Sequence, residues 1–294
     1  MPANSSSLPA PAAGLARPRP GALRRLLANP GAVAGAVLLL LILLAAATAP
    51  WVFPHDPLDM VGPPILWPGQ DPEFPLGTDT MGRDIAAGLA HGAQVSLTVG
   101  VTAALLSLAI GIAVGAAAGY AGGWTDVALM RVTELLQTIP SFLLVVVIVA
   151  IGRPSVTVIA LSIGVASWPV VARLVRAEFR TLREAEFVQA ARSNGFSHFR
   201  IAFLEILPNA LPPVIVTTSV LVANAILIES ALSFMNMGDP NAVSWGSMIG
   251  DAREMLRTAW YLAALPGLSI VLTVLSLNLL GDALNDAFNP RLAG

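Results

Sequence analysis

Apolar runs alternate with polar breaks along most of this chain. The first run covers about 31–53, and others cover about 93–120, 127–151, 155–172, 211–235 and 259–280. An α-helix needs about 20 apolar residues to cross the hydrocarbon core of a bilayer. The pattern therefore predicts an all-α membrane protein with six transmembrane helices. Ala47-Thr48-Ala49 resembles a signal-peptidase site. A signal peptide, however, has an apolar region of only about 7–15 residues. This run is longer, and Pro50 directly follows the candidate cut, so the first run reads as an uncleaved span. Residues 54–92 form a polar, acidic loop with several Pro and Gly, ending in a short helix around Arg83–Leu89. Residues 93–285 read as a five-helix core. The tails, 1–30 and 286–294, lie outside the membrane pattern, and the first is rich in Pro, Ala and Ser, as disordered segments are.

One break is unlike the rest. The stretch 176–210 carries Arg176, Arg180, Arg183, Arg192 and Arg200 together with Glu178, Glu184, Glu186 and Glu205. An Arg at the centre of a spanning helix costs about 2.5–3.5 kcal/mol, so five of them place this segment in water. Thr181 to Ser193 is rich in good helix formers. Asn194-Gly195 should break that helix, because Gly takes the left-handed turn that follows a helix end. Ser197 can cap a second helix through about Leu204, and Pro208, Pro212 and Pro213 then lead into the fifth span. Phe187, Val188, Ala191, Phe196 and Phe199 supply apolar knobs among the charges. The many acids argue against anionic lipid as the partner of this helix–turn–helix, and a protein with a groove fits better.

Charge sets the expected topology. The N-tail, the start of the third span, the 176–210 region with Arg173, and the C-tail together carry twelve Arg, and the alternate loops carry four. The Arg-poor loops hold nine acids: Asp56, Asp59, Asp71, Glu73, Asp79, Asp84, Asp239, Asp251 and Glu254. The positive-inside rule makes the first set cytoplasmic, with both termini inside. The chain is 55% hydrophobic and 12% charged, with no Cys, and all 16 basic residues are Arg. That excludes disulfides, thiolate metal sites and every mechanism needing a lysine, the P-loop included. The three His residues are far apart, and no HExxH, GxSxG or GxGxxG motif occurs. No catalytic set, cofactor, metal site or nucleic-acid partner is expected, and any ATP hydrolysis must belong to another chain.

Three in-membrane features remain. Gly111, Gly115, Gly119 and Gly123 recur every four residues, a smooth stripe that suits close packing within the chain better than a subunit interface. Asn224 and Glu229 lie in the fifth span and Asn278 in the sixth. A carboxylate in a span faces a bundle interior or an aqueous path. Glu229 is therefore either a pathway residue meeting a substrate's amino group or a hydrogen-bonded strut between helices. Arg131 and Glu134, spaced i,i+3, suit an ion pair.

The motif QAARSNG, followed by EILP, resembles the cytoplasmic EAA loop of ABC importer permeases. LGTDTMGRD (76–84), AGYAGGWTD (118–126), the stretch from Trp168-Pro169 to Arg176, REAEFVQAAR, ESALSF, SWGSM and NLLGDALNDAFNPRL resemble its peptide/nickel branch, and within it the second permease subunit. The likeness covers about 30–294. It implies the type I importer permease fold and a coupling-helix loop in which Glu186, Gln189, Ala190, Ala191, Gly195, Phe196 and Pro208 meet the ATPase. Asn224 and Glu229 become pathway candidates. The implied partners are a homologous second permease, two ATP-binding subunits or domains and an extracytoplasmic solute-binding protein, assembled in the bacterial cytoplasmic membrane. The implied cargo is di- or oligopeptide, with nickel chelates and glutathione as alternatives on the same machinery. A secondary transporter or channel is the alternative of another class. The sequence departs from the pattern at Gln189, usually Glu, at Glu205, often His, and at Met235–Gly238, usually Leu-Gly-Leu-Gly.

Overall fold

The computed structural model describes residues 29–288; the expected N-terminal tail and most of the C-terminal one lie outside them. Helix α1 covers Pro30–Val52, α2 Ile85–Ala121, α3 Gly123–Thr138, α4 Ser141–Ile151 and α5 Val156–Arg183. The short α6, Glu186–Ser193, precedes α7, His198–Arg200, and a π-helical turn, Ile201–Ile206. That turn runs into α8, Leu207–Phe234; α9, Trp245–Ala252, and α10, Tyr261–Phe288, follow. The described residues hold no strands, only two isolated bridges in the 54–84 loop. Five helices are long and apolar enough to span a membrane, and six if α3 and α4 count as one bent span.

That bend corrects the expected third span at 127–151. The chain turns by 81° between α3 and α4. Pro140 disfavours helix in the residue before it, and Ile139 is extended at φ −92°, ψ 125°.

Three further boundaries differ from the pattern reading. The short helix expected around Arg83–Leu89 is the first part of α2, whose N-cap Asp84 accepts a 2.8 Å hydrogen bond from the Ala86 amide. The fourth span continues past Ala172 to Arg183, because Val175 and Phe179 keep an apolar face buried beyond the membrane run. The expected Thr181–Ser193 helix is thereby split at Glu184-Ala185, and the 176–210 region begins as a rigid extension of α5. Its second helix does not stop near Leu204 but winds on into the fifth span, with Pro208 in the first turn of α8 and Pro212 and Pro213 inside it. Pro208 has no N–H for the Leu204 carbonyl, and the wider π turn sits where the regular ladder is interrupted.

The bundle is built around α2, which packs along α5 and also meets α8 and α1. The glycine stripe makes the first of these contacts possible. A Cβ on Gly115 would sit 2.8 Å from Val175 Cβ, and one on Gly119 2.6 Å from Phe179 Cβ. Gly164 answers from α5, and Ser107 Oγ donates to its carbonyl at 3.0 Å. Gly123 is not part of this stripe; it opens α3 at φ +54°.

α1 is held on the opposite flank by a side chain that mends its ladder. Pro50 has no N–H to offer the Ala46 carbonyl, and Gln94 Nε2 of α2 donates to that oxygen at 2.6 Å. The 54–84 loop closes over the start of α10, where Tyr261 Oη donates to the Leu66 carbonyl at 2.9 Å and its ring lies 4.9 Å from that of Trp67.

Candidate functional site

Helix α6 carries most of the residues assigned to coupling, and its local sequence explains its shape. Val188 and Ala191 point into the core shared with Val175, Phe179 and Ile206. The helix stops in a complete Schellman turn: the Phe196 amide donates to the Ala191 carbonyl at 3.1 Å and the Gly195 amide to Arg192 at 2.9 Å. Gly195 takes φ +75°, the left-handed conformation this turn requires. Ser197 Oγ then accepts from the Arg200 amide at 3.3 Å and starts the next helix.

The structure sorts the seven coupling candidates by face. Glu186, Gln189, Ala190, Gly195 and Pro208 are exposed, Phe196 is half-buried, and Ala191 is buried. Ala191 therefore packs α6 onto its own chain and does not offer its side chain outward. Gln189, in the position usually held by Glu, donates to the Glu184 carbonyl at 3.1 Å and tethers the hinge before α6. Beyond the turn, Phe199 and Phe203 form an exposed aromatic pair 4.5 Å apart, and the Arg200 guanidinium lies 3.8 Å over the Phe196 ring.

A set of polar ties joins this loop to the adjacent ends of the spans. Arg176 of α5 grips Asp126 of α3 with both arms of its guanidinium, one of them at 2.7 Å. Arg183 Nη1 donates to the Tyr120 carbonyl at 3.1 Å, and the Tyr120 hydroxyl lies 2.9 Å from His198 Nδ1. Sequence reasoning did not find these pairings. Asp126 and Arg176 stand 50 residues apart, and only the α2–α5 packing brings them together.

The two pathway candidates lie apart, on different faces of α8. Asn224 is exposed, whereas Glu229 is 1% exposed. The Glu229 carboxylate accepts from Ser233 Oγ at 2.7 Å and from Ser96 Oγ of α2 at 3.2 Å, with Ser230 at 3.5 Å. Ser244, N-cap of α9, lies beside the same carboxylate. The carboxylate thus ties α8 to α2 beside the start of α9, and none of those serines was foreseen. One signal was available: Glu229 and Ser233 are i,i+4 and share a helix face. α9 is held there by close backbone approach as well, since a Cβ on Gly246 would lie 2.6 Å from the Ser230 carbonyl oxygen. Arg131 and Glu134 do pair, at 3.1 Å on an exposed face.

A long helical bundle with a short surface helix between its fourth and fifth spans is the architecture of an importer permease. The fold matches a permease chain of an inward-facing MetNI methionine ABC transporter with a TM-score of 0.57, over 69% of this chain and 97% of that one, at 16% identity. Residues 111–294 match the family described as binding-protein-dependent transport system inner membrane component, and 20–70 match the N-terminal TM domain of oligopeptide transport permease C. The dipeptide transport system permease DppC of Escherichia coli K12 is 42% identical over 90% of each chain. The di/tripeptide permease DppC of Pseudomonas aeruginosa is 37% identical over 90% of this chain and 89% of its own. DppC of Alkalihalophilus pseudofirmus is 35% identical over 92% and 89%. The chain belongs to the family of binding-protein-dependent transport system inner membrane components. It is an ABC importer permease, the non-catalytic, multi-pass component in the inner membrane.

Proposed function

We propose that this chain pairs with a homologous second permease to form the translocation pathway for di- or oligopeptides. ATP hydrolysis on two partner subunits or domains drives it, and an extracytoplasmic binding protein delivers the peptide. Both termini and α6 face the cytoplasm, in keeping with the Arg asymmetry. The exposed face of α6, with Glu186, Gln189 and Ala190, enters the ATPase groove, and the Gly195 turn and Phe196 pass its movement to α5 and α8. The observation that carries the substrate class is identity of 35–42% to three dipeptide or di/tripeptide permeases along nearly their whole length.

The test is uptake by the complete importer in proteoliposomes, with its own binding protein, offered dialanine, a tetrapeptide, nickel–histidine or glutathione. ATP-dependent uptake of the peptides is the expected result. Uptake of nickel chelate or glutathione without peptide would move the assignment to one of those alternatives, and uptake without ATPase partners would favour a secondary transporter.

A further inference from the structure

At the end of the bundle that carries the acidic loops, a cavity of about 290 Å³ lies between the 54–84 loop, the start of α2, the end of α8 and α9. Its walls are of two kinds. Leu58, Ile85, Val243 and Met248 make apolar surface, while Arg83 and Asp251 stand next to one another in the wall. The polar groups divide by how far they are already satisfied. Asp79 accepts from the Met81 and Arg83 amides, Asp84 caps α2, and Asp239 accepts from the Val156 and Asn241 amides. These three carboxylates hold loops and helix ends in place.

Arg83 and Asp251 are different. The Arg83 guanidinium makes no hydrogen bond among the described residues, and its Nε is the one fully covered side-chain nitrogen or oxygen there without a partner. Its nearest carboxylates stand off, Asp251 at 3.8 Å and Asp79 at 4.0 Å. An Arg–carboxylate pair normally closes to about 2.7–2.9 Å. The Asp251 carboxylate likewise has no hydrogen bond among the described residues. Burial pushes its carboxyl above the usual range, Arg83 offsets this only in part, and Asp79 adds to it. A donor fork and a carboxylate thus form a loose ion pair, not closed into a hydrogen bond, at the rim of an apolar cleft.

We propose that this cavity is a binding site for a short zwitterionic peptide, whose carboxylate docks on Arg83 and whose ammonium docks on Asp251. The volume is at the small end of ligand pockets, about 300–1,000 Å³, which suits a dipeptide better than a protein loop. Each charge of the free peptide meets a counter-charge whose side chain makes no hydrogen bond among the described residues, and the apolar wall takes the side chains. The inference rests on the proposed peptide function and on the outward orientation of the 54–84 loop. It adds a place on the permease itself where peptide released by the binding protein is held before translocation.

The chain has no native Cys, so Thr80→Cys at the cavity wall reports occupancy. The assembled importer, without its binding protein, is labelled with a cationic methanethiosulfonate reagent, and the labelling rate of this chain is read by mass. Dialanine at millimolar concentration should slow labelling several-fold, while dialanine blocked at both ends should not. Arg83→Gln should abolish the protection, and Asp251→Asn should weaken it, the smaller effect because that side chain is half exposed. An unchanged rate with dialanine overturns the proposal, as does equal protection by the blocked peptide. Protection by peptide-free binding protein alone, with none by dialanine, would make the cavity a docking pocket instead. Peptide uptake by the same importer with its binding protein is measured alongside. Normal uptake without protection sinks this site alone, whereas absent peptide uptake sinks the functional reading beneath it.

Discussion

Glu229 shows how much one buried side chain decides. Among Val, Leu, Ile and Ala, a carboxylate must find donors or water. It finds serines of α2 and of its own helix, α8. We expect Glu229→Gln to assemble and transport almost normally, because the amide keeps an acceptor oxygen and the serine hydroxyls can turn to accept from its NH₂ group. Glu229→Leu leaves several buried hydroxyls unpaired, each costing about 1–3 kcal/mol, and should lower the melting temperature and yield of the complex. If the Gln variant instead assembles normally but loses uptake of free-amine peptides, Glu229 belongs to the pathway and not to the scaffold. Asn224 carries no such ambiguity of burial. Its amide is exposed in the middle of α8, on a different face from Glu229.

At the scale of elements, two glycines separate conformational from steric demand. No atom lies within 4 Å of a Cβ built on Gly195, yet its φ is +75°. Gly195→Ala should therefore cost only about 1 kcal/mol and leave coupling intact. Gly195→Pro cannot take this φ and also deletes the amide that closes the turn on Arg192. It should insert and assemble but lose substrate-stimulated ATPase activity in the reconstituted importer; unimpaired stimulation would show that α6 does not transmit the nucleotide cycle. Gly115 is the opposite case. Its φ is ordinary for a helix, but α5 leaves no room, so Gly115→Val should push α2 and α5 apart. Overpacking of this kind costs about 1–3 kcal/mol, visible as a drop in the melting temperature of the detergent-solubilised complex. A melting temperature equal to that of the parent would mean the α2–α5 contact is looser than the structure has it.

At the scale of the whole molecule, orientation is the property most open to a clean measurement. Single Cys residues at positions 71 and 197 can be labelled separately, because no other Cys exists in the chain. With the outer membrane permeabilised, an impermeant maleimide should reach Asp71→Cys from outside. Ser197→Cys should react only after the inner membrane is opened. The reverse pattern would invert every loop, and with it the proposed meeting of α6 with an ATPase.

Hydrophobic run length and Arg distribution were enough to determine an all-α protein crossing a membrane about six times, with a structured polar segment between the fourth and fifth runs. These properties depend on transfer free energy, which adds residue by residue along a chain. The stop at Asn194-Gly195 and the cap at Ser197 were legible for a related reason: both are local, set by backbone preferences within four or five residues. What needed the tertiary structure was everything that depends on a distant partner. The apolar face that carries α5 on to Arg183 has meaning only against α2. The 81° bend at Pro140 could equally have been a mild kink, since a proline in the sequence does not fix the angle. The buried side of Ala191, the grip of Arg176 on Asp126, the serines around Glu229 and the open Arg83–Asp251 pair all join residues far apart in the chain. Spacing along the sequence encodes none of them; they exist because the bundle, once packed, leaves those side chains facing one another.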